Sequence, residues 1–197
     1  MHKKELDMRK SAIPLALAAA ALALTACDSQ NQARKDEAAK GAEAVKQAGD
    51  KTIAASLDQK GRYFTLVKAA GLDVTLAGPG PYTVFVPDDA AFDKLPAGTL
   101  DSWMKPEARP ELTRTLTYHI LPGTVLAEDM RKAIDAGSGK AQLATVGGGT
   151  LTATREGDRI VLTDSAGGKA SIANADETLA NGVVHRTDAV LMPGAAA

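Results

Sequence analysis

The chain has 197 residues, of which 45% are hydrophobic and 24% charged, a composition that fits one globular domain with extensions. Lysine and arginine number 23 against 24 acidic residues, so the formal net charge is -1 and there is no excess positive charge for nucleic-acid binding. The single cysteine, Cys27, excludes an internal disulfide and a cysteine-rich zinc site.

Residues 1–26 have the pattern of an export signal. Four basic residues precede an apolar run over 11–26 that is rich in alanine and leucine. At about 1.5 Å per residue, a helix of this length is shorter than the roughly 30 Å hydrocarbon core of a bilayer, which favours a signal peptide over a permanent spanning helix. Glu5 and Asp7 are unusual in a basic leader, and a start at Met8 would remove both.

The apolar run ends in Leu24-Thr25-Ala26-Cys27, which resembles the lipobox of bacterial lipoproteins. The resemblance implies that diacylglycerol is attached to the Cys27 sulfur, that the chain is cleaved before Cys27, and that the new amino group is acylated with a fatty acid such as palmitate. Several acyl chains anchor a protein firmly, whereas one binds marginally. The alternative is a chance cysteine after an ordinary signal peptide.

Polar and small residues follow the cysteine. Residues 27–50 contain one large apolar side chain, Val45, which is too little to hold a helix against a core. This segment is therefore predicted to be a flexible tether, with a coiled coil as the alternative. Residues 51–193 are predicted to form the folded domain, and residues 194–197 a loose tail.

The first part of the domain has helix-like apolar spacing. The residues that carry this spacing are Ile53, Leu57, Phe64, Val67 and Leu72. A β-branched and aromatic run over 82–86 then predicts a strand. Asp88 is placed to cap a following helix, with Asp89 in the first turn. A cation site at these two acids is the alternative, although adjacent side chains point in different directions.

A longer helix is predicted over 111–120, with Pro110 at its start. Its buried stripe is Leu112, Leu116 and Ile120. At about 100° per residue, His119 lies beside this stripe and Tyr118 lies roughly opposite. We therefore expect His119 to be a core histidine with a hydrogen-bond partner, and Tyr118 to point away from the core.

The later part of the domain is predicted to form mainly strands. Alternating runs over 150–154 and 159–163 flank a Glu-Gly-Asp turn and predict a hairpin. Further strands are predicted over 170–173 and 183–191, and a short helix over 128–134. Because helices come first and strands later, the predicted class is α+β.

Three segments together resemble the signatures of the fasciclin domain: 83–92, 116–123 with its central Tyr-His motif, and 181–193. The resemblance covers about 52–193 and implies a β-wedge or sandwich flanked by short helices. It also implies extracellular or envelope residence, and adhesion rather than catalysis. Two departures stand out, because Asp88-Asp89 replaces the more usual Thr-Asn and Arg186-Thr187 replaces a usually apolar pair.

In animal members of this family, residues around the Tyr-His motif are implicated in receptor binding. The resemblance therefore implies a binding role for Tyr118 and His119, whereas helix phase favours packing for His119.

Catalysis has weak support in the sequence. His119 and His185 could be combined with Asp188 and Ser165 as a hydrolase triad, but no nucleophile elbow is present. The two histidines also lack a local two-ligand metal motif. The sequence therefore predicts no enzyme activity, no cofactor and no metal.

The resulting prediction is a lipid-anchored adhesion or interaction module facing the periplasm or the cell exterior. Its expected partner is an envelope or extracellular protein or polysaccharide. The alternative is a carrier of a small apolar ligand in a cleft between helices and sheet.

Overall fold

Seven strands form one mixed sheet in the computed structural model, which describes residues 50–194. The strands are β1 Tyr82–Pro87, β2 Ile120–Pro122, β3 Lys140–Ala144, β4 Thr150–Glu156, β5 Arg159–Thr163, β6 Lys169–Leu179 and β7 Gly182–Thr187. Their order is β2-β1-β7-β6-β5-β4-β3, with β1 and β7 parallel and the other neighbours antiparallel. Val146 N–H donates to Ile120 O at 2.7 Å, so the two ends of the sheet approach each other. The result is a wedge that is close to a barrel.

Short helices flank this sheet. Before β1 lie α1 Ile53–Ser56, α2 Arg62–Ala70 and α3 Asp73–Ala77. Between β1 and β2 lie α4 Asp89–Phe92, α5 Thr99–Trp103, a 3-10 turn Pro106–Ala108 and α6 Arg109–Tyr118, and α7 Ala127–Ala136 precedes β3. The helical first part is broken into short pieces because turn residues interrupt it, as where Gly71 ends α2 with φ +75°. The predicted α+β class is confirmed.

The central strands separate two apolar clusters. Val84 and Val86 belong to a cluster with the helical layer of α1–α3 and α6, whereas Phe85 belongs to a second cluster with α7, β4 and β5. This division follows from alternation, because successive strand residues point to opposite faces. Val84 pairs in parallel register with Val184 of β7, and both are fully buried. The strand pair is covered on both faces, which explains the consecutive apolar residues 84–86 of β1 and 183–184 of β7.

The helix predicted over 111–120 has the right length, but the observed helix begins and ends two residues earlier, at Arg109 and Tyr118. Helix α6 ends at Tyr118, and Ile120 instead pairs with Val84 as the start of β2. His119 between them is the last residue with helical φ and ψ, and its carbonyl accepts from Phe85 N–H at 2.9 Å. Pairing with β1 therefore ends the helix, a tertiary contact that local spacing does not reveal.

The strand predictions are confirmed in part. The hairpin of β4 and β5 is present in the predicted place, and α7 contains the helix predicted over 128–134. Strand β7 stops at Thr187 rather than at 191, because the chain then leaves the sheet to form the segment 188–194, called here the C-terminal strap. Strand β3 was not predicted, and β6 is longer than expected because it contains an irregularity between Asn174 and Glu177.

Candidate functional site

Tyr118 of the Tyr-His motif lies in the interior, with only 1% of its surface exposed. Its hydroxyl donates to Thr150 O at 2.8 Å and accepts from Ser165 N–H at 3.0 Å. The expectation that Tyr118 points away from the core is wrong. Helix α6 is covered on two faces, one by the helical layer and one by the sheet, and a tyrosine whose hydroxyl is hydrogen-bonded is suited to the second face.

The loop before β4 is shaped around the Tyr118 ring. A Cβ atom added to Gly149 would overlap Cε2 and Cδ2 of that ring. Only glycine therefore lets the loop backbone lie directly against the edge of the aromatic ring. Gly149 N–H donates to Thr145 Oγ1 at 3.1 Å, which fixes the loop in this position.

His119 is buried and both of its ring nitrogens are paired. Nδ1 lies 2.8 Å from Thr115 O, and Leu191 N–H donates to Nε2 at 3.0 Å. These contacts place the proton of the neutral ring on Nδ1. Burial lowers the pKa of His119 from 6.5 to about 4, although the bond to Thr115 acts in the opposite direction. The prediction of a core histidine with a hydrogen-bond partner is confirmed.

The C-terminal strap is held by several polar contacts in addition to His119. Met192 N–H donates to Asp164 Oδ2 at 2.8 Å, and Gly194 N–H donates to Ser165 Oγ at 2.6 Å. Arg114 Nη2 donates to Gly194 O at 2.5 Å. The Tyr-His motif and the loop after β5 thus act together to fasten the last described residues to the domain.

Asp164 holds the loop after β5 and the C-terminal strap together, and its role was not predicted from the sequence. The buried carboxylate accepts from Ala166 N–H and Gly168 N–H through Oδ1, and from the strap through Oδ2. The signal that could have identified it is an aspartate followed by small residues and glycines, which is typical of a turn closed by the aspartate side chain.

His185 occupies a separate buried position. Its Nδ1 accepts from Asp176 N–H at 3.1 Å, its Nε2–H donates to Val125 O at 2.8 Å, and its ring stacks on Phe85 at 5.6 Å. Burial lowers the pKa of His185. Asp176 has φ +63°, and its Oδ1 accepts from Ala127 N–H at 2.8 Å. The irregular part of β6 therefore joins β7 to the start of α7.

The hydrolase triad considered from the sequence is not assembled among residues 50–194. Ser165 Oγ contacts Tyr118 and Gly194 rather than a histidine, and Asp188 accepts from Ser171 N–H at 2.7 Å. Within the same residues, no three histidine, cysteine, aspartate or glutamate side chains are grouped to hold a metal ion.

The two adjacent acids after β1 have different contacts. Asp88 occupies the N-cap position of α4 as predicted, but its side chain makes no capping hydrogen bond to the described residues. Asp89 Oδ1 instead accepts from Arg62 N–H at 3.0 Å at the start of α2, and Arg62 Nη1 donates to Asp89 O and to Asp93 Oδ1. The predicted capping hydrogen bond of the Asp88 side chain is therefore wrong. The neighbouring carboxylate, Asp89, instead accepts a hydrogen bond at the start of α2.

Cys27 and its predicted lipid attachment lie outside the described residues. The same holds for the predicted signal peptide over 1–26 and for nearly all of the tether. Within residues 50–194, no helix combines the length and the apolar character needed to cross a bilayer.

The fold and the motif together define the class of protein. Residues 60–193 match the family model described as the Fasciclin domain, so the chain belongs to the fasciclin family. The chain shares its fold with a FAS1 domain pair from the insect cell adhesion molecule Fasciclin I, with a TM-score of 0.50 and 22% identity over 66% of this chain and 44% of that one.

Sequence relatives occur in bacteria and animals. The chain is 35% identical over 127 residues to protein sll1483 of Synechocystis, which covers 64% of this chain and 63% of that protein. It is 33% identical over 145 residues to the uncharacterized protein sll1735 of the same organism, covering 72% of this chain and 96% of the relative. It is 39% identical over 131 residues to transforming growth factor-beta-induced protein ig-h3 of Sus scrofa, covering 66% of this chain but 17% of that larger protein.

Proposed function

We propose that this protein is a lipid-anchored interaction module of the bacterial cell envelope. In this proposal Cys27 carries the lipid, residues 28–50 act as the tether, and the fasciclin domain binds an envelope or extracellular protein or polysaccharide. The support is the match of residues 60–193 to the Fasciclin domain, a fold shared with an insect cell adhesion molecule. The lipobox-like end of the apolar run supports the anchor.

The contacts of the polar residues favour binding over catalysis. His119, His185 and Ser165 each use their polar side-chain atoms in bonds that hold elements of the fold together. A general base needs a free nitrogen within reach of the proton that it abstracts, and the two ring nitrogens of each histidine are occupied. We therefore propose that the domain acts through its surface rather than through a reaction.

For Tyr118 and His119 we propose an indirect part in binding. Both side chains are buried, and they position the loop 145–149, the loop after β5 and the C-terminal strap. A partner would contact these surface segments, and the motif would set their shape.

Crosslinking in intact cells tests this function. The anchored protein is expected to capture one envelope protein or glycan, and a Cys27→Ser form is expected to lose both membrane association and that capture. Membrane association that persists in Cys27→Ser would contradict the anchor. Failure of the anchored protein to enrich any macromolecule would contradict the interaction module.

The alternative, a carrier of a small apolar ligand, requires an apolar cleft between helices and sheet. The cavity at that place is 200 Å³ and has four charged residues in its lining, whereas a larger cavity of 480 Å³ is lined by residues of the helical layer. Native mass spectrometry of the purified protein tests the alternative, because a carrier would retain an apolar molecule of constant mass.

A further inference from the structure

Two consecutive residues of the C-terminal strap are held by side chains that can take up a proton. Leu191 N–H donates to His119 Nε2 at 3.0 Å, and Met192 N–H donates to Asp164 Oδ2 at 2.8 Å. Both acceptors are buried. A histidine and a carboxylate therefore fasten the middle of the strap, and histidine is the side chain whose charge changes most readily between pH 5 and pH 8.

Protonation of His119 is incompatible with its bond to the strap. In the neutral ring, Nδ1–H donates to Thr115 O, so Nε2 has the lone pair that accepts from Leu191 N–H. A protonated ring carries hydrogen on both nitrogens, and two donors then face each other across 3.0 Å. Turning the ring over does not restore the bond, because neither nitrogen of the charged ring can accept.

Two titratable side chains from neighbouring elements face the His119 ring. Tyr63 of α2 lies edge-on to it, with 6.3 Å between the ring centroids, and burial keeps this phenol neutral by raising its pKa. Burial lowers the pKa of His119 from 6.5 to about 4, against the bond to Thr115 and the charge of Asp164 on the loop after β5. The contacts of His119 with β1 and the strap are made by backbone N–H groups. On α6 itself, the Arg114 guanidinium contacts the end of the strap.

The strap can leave without disturbing the sheet. The strand pairs of β7 end at Thr187. Asp188 N–H then donates to Ser171 O at 3.1 Å, and Ser171 N–H donates to Asp188 Oδ1 at 2.7 Å. These two bonds fix Asp188 beside β6, so the part of the strap that can move begins after it. A terminal segment outside the strand pairs can open at a lower free energy than the sheet.

Release of the strap uncovers both apolar clusters. The fully buried Leu191 belongs to the cluster that contains Phe85, whereas Val190 and Met192 pack against the cluster of the helical layer. Because Leu191 N–H covers His119 Nε2, the same movement opens this nitrogen to water. Protonation is therefore easiest in the released state, in which burial no longer disfavours the charge.

We propose that acid releases the C-terminal strap: when His119 takes up a proton, residues 189–194 leave the domain while the sheet stays folded. The released protein exposes apolar side chains next to the loops that the Tyr-His motif positions. The surface offered to a partner thus differs between neutral and acidic surroundings. This regulation of binding rests on the proposed interaction function, whereas the release itself does not.

The pKa difference sets the expected size of the effect. His119 has its ordinary pKa of 6.5 when the strap is released and a pKa of about 4 when the strap is bound. The released state therefore binds more protons below pH 6.5, and a fall in pH favours release. Between pH 7 and pH 5, the ratio of released to bound strap is expected to rise about 20-fold.

Amide hydrogen exchange of the ¹⁵N-labelled protein, purified as cells produce it, tests this release at pH 7 and pH 5. Protection factors, corrected for the intrinsic pH dependence of exchange, are expected to fall about 20-fold at the amides of Leu191 and Met192. At both pH values these amides are expected to be less protected than those of the β4–β5 hairpin. Protection equal to that of the hairpin at both pH values, or no fall at pH 5, overturns the proposal.

Two variants make the test specific. His119→Gln removes the titrating ring and is expected to abolish the fall between pH 7 and pH 5. Ser165→Ala removes the neutral acceptor of Gly194 N–H, which is 2.6 Å away, and is expected to lower strap protection by the same factor at both pH values. A 20-fold fall that persists in His119→Gln overturns the role of His119.

A second measurement serves if His119→Gln does not fold. In the unaltered protein, the ring Cε1–H signal of His119 and the amide signal of Leu191 are followed from pH 7 to pH 4. One shared midpoint is expected, because the proton and the strap compete for the same nitrogen. Different midpoints overturn the proposal.

Failure of this inference can be separated from failure of the proposed function. Exchange is measured without any partner, so a strap that does not respond to acid overturns the release and leaves capture of a partner in cells unaffected. A strap that is released in acid, in a protein that captures nothing in cells, leaves the release standing and overturns the interaction function.

Discussion

Single buried polar side chains organise this fasciclin domain. Tyr118, His119, Asp164 and His185 each join segments that are far apart in the chain, and each has its polar atoms paired. The sequence allowed the packing role of His119 to be predicted from helix phase. The burial of Tyr118 was not predictable in this way, because the second face of α6 is covered by strands whose position depends on the whole sheet.

Replacing His119 with alanine is expected to lower the free energy of unfolding by about 2–4 kcal/mol, because Thr115 O and Leu191 N–H lose their partner in the interior. Chemical denaturation measures this change, with Asp158→Ala in the exposed turn as the control. Loss of adhesion without any change in the unfolding curve would refute a stabilising role and support direct binding by His119.

Acid is expected to destabilise the domain through the same histidine. Its pKa is about 4 when folded against 6.5 in the unfolded chain, so the unfolded chain binds more protons in that interval. The contribution of neutral His119 to the free energy of unfolding is fully present above about pH 6.5. It falls by roughly 3 kcal/mol as the pH falls towards 4. Urea unfolding at several pH values should therefore show a shallower pH dependence for His119→Gln. Identical slopes would contradict this assignment.

At the level of elements, local sequence determines some helices and strands, and tertiary contacts determine others. The β4–β5 hairpin and α7 were predictable because their apolar spacing and turn residues are local. The end of α6, the edge strand β3 and the irregular part of β6 were not, because each depends on pairing with a distant segment.

The loop before β4 provides a test at this scale. Gly149→Ala is expected to cost about 1–3 kcal/mol, because the new methyl group overlaps the Tyr118 ring. Gly148→Ala is the matched control, since it has φ +81° and open space around it, so that only backbone strain is introduced. Double-mutant analysis with Tyr118→Leu should remove much of the Gly149 effect, and simple additivity would contradict the contact.

Asn181 joins the helical layer to the turn between β6 and β7. Its Oδ1 accepts from Ile53 N–H at 2.7 Å, and its Nδ2 donates to Leu76 O and Gly78 O at 2.8 Å. Asn181→Ala is therefore expected to lower stability by about 2–4 kcal/mol. Amide hydrogen exchange should show lost protection in α1 and α3 before the β4–β5 hairpin, and uniform loss would argue against a local junction.

Across the whole molecule, the C-terminal strap connects the two apolar clusters. Val190 and Met192 pack against the cluster of the helical layer, whereas the fully buried Leu191 belongs to the other cluster. Leu191→Ala is expected to lower the free energy of unfolding by about 2–5 kcal/mol. The control is Val74→Ala, whose side chain is 75% exposed, and equal effects of the two substitutions on thermal unfolding would refute the role of the strap.

The parallel pairing of β1 with β7 has a consequence for when this protein can fold. Tyr82 pairs with Gly182, so the middle of the sheet joins an early part of the chain to one of its last segments. In a chain that emerges amino terminus first, from a ribosome or from a membrane channel, one edge of β1 can pair with β2, but its other edge has no partner until residues 182–187 are released. Contacts between such distant segments slow folding. Completion of the central sheet is thereby deferred until β7 has emerged.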